Sequence, residues 1–178
     1  MSAVEDTAPP ASDAGVTLIE LIMYMIISAL IASVIVMMLV NTLRTQSNVT
    51  SETTATTRGA LVASTLERSM RNALAFSVSA DGSTLLVRTS LDNSLVCQGF
   101  ALSTSSGAKF TQTSTALPAS STWPTWQTGV VAHGATPFIS QTLNGVSYSF
   151  DLTTNGAPVH FAGTVTARNL TGVTSPCW

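Results

Sequence analysis

Residues 15–40 read GVTLIELIMYMIISALIASVIVMMLV, and beyond Glu20 this stretch contains no charge, no proline and no glycine. Twenty such residues, 21–40, at about 1.5 Å rise per residue cover the ~30 Å hydrocarbon core of a bilayer. The run therefore predicts a membrane-crossing helix and argues against a purely cytosolic protein. It also accounts for the composition, in which charged residues are only 9% of the chain and hydrophobic residues 45%, against the ~25% charged of ordinary soluble domains. A length of 178 residues leaves room for one further domain beside the helix, and no more.

The one acid in the run, Glu20, is the residue that asks for an explanation. Hydrocarbon cannot solvate a carboxylate, so an ionisable group inside a membrane segment needs a partner or a task. Cleavage after Gly15 would leave an α-amino group on Val16, four residues before that carboxylate, and so would create the opposite charge. The fourteen residues before Gly15, MSAVEDTAPPASDA, are small, polar and acidic and supply no core. An ordinary secretory signal has a positive start and a cleavage site after a shorter apolar region, whereas here the start is negative and the glycine precedes the apolar run.

The glycine-to-glutamate spacing of GVTLIEL, followed by an uninterrupted apolar helix, resembles the class III signal of type IV prepilins and of the pseudopilins of type II secretion. The resemblance is close over about residues 15–40 and architectural elsewhere. It implies a leader, residues 1–15, removed by a membrane-embedded prepilin peptidase that cuts after Gly15 and N-methylates Val16. It also implies that Glu20 attracts the amino terminus of a neighbouring subunit during filament assembly. Other pilin subunits, an inner-membrane assembly platform, a motor ATPase acting indirectly, and membrane lipid before assembly are the partners it implies. The chain departs from the family in three ways: valine stands where the first mature residue is commonly phenylalanine, the leader is acidic, and the helix lacks the usual proline, so no proline break is expected. With Arg44 and Arg58 beyond the helix, the positive-inside rule alone would favour the reverse orientation; the cleavage signal requires a cytoplasmic N-terminus with the head outside.

After Val40 no proline interrupts the chain until well past residue 76, so the helix is expected to continue amphipathically over residues 41–76. Its stripe would be Leu61, Val62, Leu66, Met70, Ala73 and Leu74. The threonine-rich stretch 45–57 is the expected place for fraying or a kink. Past the turn signal Asp81-Gly82 the period changes to two. Thr84–Thr89 and Leu95–Leu102 read as a hairpin through Asp92-Asn93, and residues 146–152 and 159–167 as a pair of strands around Asn155-Gly156. Residues 104–127, with Trp123 and Trp126, read as a surface loop. Cys97 and Cys177, an even pair beyond the membrane segment, suit one disulfide in an oxidising compartment. Its ~80-residue loop would contribute roughly 4–5 kcal/mol in the entropic account.

The expected fold is thus α+β, pilin-like, with a long N-terminal helix packed on the antiparallel β head of residues 77–178. The expected function is a structural subunit in the cytoplasmic membrane and then in a surface filament, with the Leu66–Ala73 stretch and the long tryptophan loop favouring a minor pilin. The alternatives are a secretion pseudopilin, or a pilus-tip module that binds through Trp123 and Trp126 for adhesion or DNA uptake. No metal-ligand spacing, GxSxG or phosphate loop is present, so neither an enzyme nor a cofactor is expected. His133 and His160 read as surface or edge residues, and a set built on Asp151 and His160 carries no weight by sequence alone. Basic residues are dispersed and do not interleave with aromatics, which argues against nucleic acid as a partner.

Overall fold

The structure, a computed structural model, describes residues 15–90, 94–103, 107–168, 170 and 177–178. The chain divides into two compact units, Met1–Thr45 and Gln46–Trp178. One helix, α1, runs Leu18–Arg71, and its first part is long and apolar enough to cross a membrane. The threonine-rich stretch is helical throughout, contrary to the expected fraying. Thr45, Thr53, Thr56 and Thr57 each donate their hydroxyl to the carbonyl four residues earlier, at 2.8–3.0 Å, so these side chains satisfy themselves on the helix and do not compete with it.

In the second unit α1 packs on antiparallel sheets, which makes the fold α+β. Its buried positions are Ala55, Gly59, Val62, Leu66, Ser69 and Met70, a face recurring every three or four residues. Leu61, expected in that stripe, is instead 46% exposed. The smallest residue of the face, Gly59, lies under the Phe161 ring, where a Cβ would overlap the ring carbons.

The helix ends earlier than its periodicity suggests. Asn72 closes it by donating both its backbone N–H and its side-chain amide to the Arg68 carbonyl. The next residues, Ala73–Val78, form strand β1, which pairs with β2, Thr84–Thr89, through the turn at Asp81-Gly82. Gly82 has φ +68° there, a left-handed conformation that suits glycine. Pairing with a neighbouring strand outweighs the good helical propensity of Ala73, Leu74 and Ala75.

β2 pairs in turn with β3, Val96–Ser103, as the expected hairpin; its Asp92-Asn93 turn lies outside the described residues. The expected surface loop is mostly ordered structure. Gly107–Thr113 is β4, paired along its whole length with β3, and Thr125–Gln127 is β5 at the edge of the same five-stranded sheet. Trp123 is only 4% exposed. It lies over Gly99, where a Cβ would overlap the indole, and its ring N–H donates to the Pro118 carbonyl at 2.9 Å. Trp126 packs against Phe110 and Phe100, with ring centroids 5.3 and 6.4 Å apart. Two aromatic side chains in polar sequence are thus drawn onto the sheet because each buries a large apolar area.

The second sheet is built around β8, Gly145–Leu152. On one side of it run two short strands, β6, Val130–Ala132, and β7, Ile139–Gln141; on the other runs β9, Val159–Thr166. β8 alternates as its sequence predicts: Val146, Tyr148, Phe150 and Leu152 are buried and the residues between them are not. Those buried residues meet Leu66 and Met70 of α1 and Leu85 and Val87 of β2 in one core. Asn155, in the β8–β9 connection, donates its N–H to Ser51 and its amide to Ser47 on α1. Cys97 on β3 and Cys177 form a disulfide, and the Leu117 N–H donates to the Cys177 carbonyl, so the end of the chain is fixed to the first sheet.

Candidate functional site

The start of α1 is assembled from consecutive residues. Gly15, Val16 and Thr17 precede the helix, and Thr17 occupies the N-cap position before Leu18. Its hydroxyl accepts from the Glu20 N–H at 3.4 Å, and its carbonyl accepts from the Leu21 N–H at 3.1 Å. Thr17-Leu18-Ile19-Glu20 thus has the order of a capping box, with one of that motif's two bonds formed.

The Glu20 carboxylate points along the helix. It accepts a hydrogen bond from the Tyr24 hydroxyl, one turn on, at 3.1 Å. A carboxylate offers about four acceptor positions, and among the described residues no cation pairs with this one. Sequence reasoning overlooked Tyr24; its signal was the spacing of four, which places two side chains on one helix face. The run's other polar groups are satisfied within the helix, Ser28 and Ser33 donating to the carbonyls of Met25 and Leu30 at 3.0 and 2.7 Å. Every described side chain from Val16 to Val40 is exposed.

Gly15 has no evident structural need to be glycine. A Cβ at this position would meet nothing within 4 Å, and its backbone lies outside the positive-φ region occupied by Gly82, Gly107, Gly129 and Gly134. Residues 1–14, the expected leader, lie outside the described residues.

A second polar cluster lies on the solvent face of β8. Asp151 stands in register with His160 of β9 and with Val131 of β6, two residues before His133. Both histidines are about half exposed, as expected, and both lean over the same carboxylate. His160 Nδ1 lies 2.7 Å from one oxygen, and His133 Nδ1 lies 3.0 and 2.9 Å from the two. The imidazole centroids are 3.9 Å apart. Partial burial pushes the Asp151 pKa up, but the hydrogen bonds from His133 and His160 and their charges outweigh it and leave the carboxyl below its ordinary 3.8. The sequence placed His160 opposite Asp151 but gave no sign of His133, because β6 is only three residues long.

A third group ties α1 to the sheet. The Tyr148 hydroxyl donates to Glu67 Oε1 at 2.7 Å, and Arg71 pairs with Oε2 of the same carboxylate at 2.8 Å. No family model, curated protein or solved structure matches the chain.

Proposed function

We propose that this chain is a prepilin-type structural subunit: inserted in the cytoplasmic membrane, cut after Gly15 by a prepilin peptidase, N-methylated at Val16, and assembled into a type IV pilus-like filament, in the role of a minor pilin. The observation that carries the reading is an exposed apolar helix of membrane-crossing length that opens on one carboxylate with no cationic partner among the described residues. Just before it stands a glycine that neither sterics nor backbone conformation requires. A residue kept small for no internal reason suits recognition by another protein, here the peptidase. Cleavage would supply the cation that Glu20 lacks, and in a filament that cation would come from the next subunit.

The energetic logic is an exchange of environments. In lipid the exposed side chains of residues 16–40 contact acyl chains; in a filament they contact the same segment of neighbouring subunits. Packing and dispersion replace lipid contact without a large net hydrophobic gain, so extraction suits a platform driven by a motor ATPase. A pseudopilin would share these features and differ only in the machine it serves. A tip-binding role through the tryptophans has less to favour it, since Trp123 is buried and Trp126 packs on Phe110.

The test is mass spectrometry of the protein from sheared surface filaments, expected to begin at methylated Val16. Native material that retains Met1 to Gly15 would overturn the proposal. Two variants separate the roles of Glu20. Tyr24→Phe removes the bond within the helix but keeps the charge, and should assemble. Glu20→Ala should be cleaved yet enter filaments poorly; if it enters normally, the charge-pairing role is wrong.

A further inference from the structure

The chain has only two histidines in 178 residues, 27 positions apart in sequence, and the fold brings both onto one carboxylate. They come from opposite sides of β8, His133 following β6 and His160 on β9, with Asp151 on the central strand between them. We propose that His133, Asp151 and His160 form a surface site for a divalent first-row transition cation of the zinc type. The proposal stands apart from the filament reading, because nothing at Gly15 or Glu20 enters it.

The donor set matches that chemistry. Two neutral imidazoles and a carboxylate suit zinc, copper, nickel or iron, whereas calcium and magnesium prefer oxygen ligands alone. The three candidate ligand atoms lie within 4.8 Å of one another. Ligands bound tetrahedrally to zinc at about 2.0–2.1 Å stand about 3.4 Å apart, so the widest pair closes by up to roughly 1.4 Å. The half-exposed imidazoles can supply that by side-chain rotation, while Asp151 stays fixed by strands paired on both sides.

In the metal-free arrangement Nδ1 of each imidazole faces the carboxylate. A cation held at Nδ1 requires the neutral tautomer that carries its proton on Nε2. Three protein ligands leave a position for water or for a group from another molecule. Stability alone offers little reason for the cluster, since exposed pairs of this kind contribute little.

The experiment uses the full chain in detergent micelles, without a histidine tag, and titrates Zn²⁺ by calorimetry while following the melting temperature. One Zn²⁺ per chain and a rise in melting temperature are expected. His133→Asn with His160→Asn, and separately Asp151→Asn, should weaken binding at least tenfold and remove the thermal shift. No heat and no thermal shift at millimolar Zn²⁺ would overturn the proposal, as would binding that survives the double histidine change. Proton NMR of the wild-type imidazoles gives a readout that needs no variant. Zn²⁺ should move the resonances of both histidines together, and a shift of one or neither refutes a shared site.

Discussion

Tyr148 is buried in the core at its ring and meets Glu67 at its hydroxyl. Burial disfavours the phenolate, and the hydrogen bond to Glu67 and that residue's negative charge add to the effect, while Arg71 opposes it; the phenol pKa is raised from 10.0 to about 12. An unfolded tyrosine loses its proton near pH 10, before the folded one does. The contribution of this group to stability is therefore complete below pH 10 and is lost as pH rises toward 12. The chain has two tyrosines, so in a Tyr24→Phe background the phenolate absorbance reports Tyr148 alone. A single transition near pH 12 is expected, and a midpoint near 10 would show that the hydroxyl is neither buried nor bonded to Glu67. Gly99 makes a comparable case in packing. Its missing side chain leaves the space that Trp123 fills, and the indole cannot slide away without breaking its bond to Pro118. Gly99→Ala should cost about 1–3 kcal/mol, the usual range for overpacking a core. An unchanged denaturation midpoint would mean that the indole shifts freely.

Among the elements, α1 shows both what periodicity can indicate and where it fails. Val62, Leu66 and Met70 were legible as a buried face, but Leu61 is not part of it, because it points about 100° round the helix from Val62 and out of that face, at 46% exposure. Leu66→Ala should therefore cost about 2–5 kcal/mol, whereas Leu61→Ala should stay within about 0.5 kcal/mol of wild type; equal losses in chemical denaturation would contradict this face. β2, β3, β8 and β9 were readable because each has six or more residues and most alternate clearly, as β8 does. β6 and β7 were not, since three residues cannot display a period of two. β1 was hidden by helical spacing in Ala73 and Leu74, and only its partner β2 decides its state. β4 and β5 were masked by serine- and threonine-rich sequence, whose apolar members, Phe110, Trp123 and Trp126, look isolated until the sheet gathers them. At the candidate sites, Glu20 stood out because a charge in an apolar run is conspicuous, whereas His133 depended on a strand that the sequence did not reveal.

For the molecule as a whole, stability is unevenly distributed. No described residue from Gly15 to Thr50 is buried by the chain itself, so that part of α1 gains no stability from packing within the chain. The second unit, of about 130 residues, carries its own core. Within that unit the Cys97–Cys177 disulfide closes a loop spanning 80 positions, which encloses β4 through β9 and holds the whole second sheet. Cross-linking so long a loop removes much of the unfolded chain's freedom, worth roughly 4–5 kcal/mol in the entropic account. For a domain of this size that converts to a melting-temperature loss of roughly 15 °C. The consequence in micelles is a split response to reductant. Near-ultraviolet circular dichroism from the tryptophans should melt earlier by about that amount, while the helical signal of the apolar segment, held by detergent, should persist beyond it. The same early melt should appear in a Cys97→Ser, Cys177→Ser variant without reductant. If both signals vanish together in one transition, the apolar segment depends on the head after all and the two units form one cooperative fold.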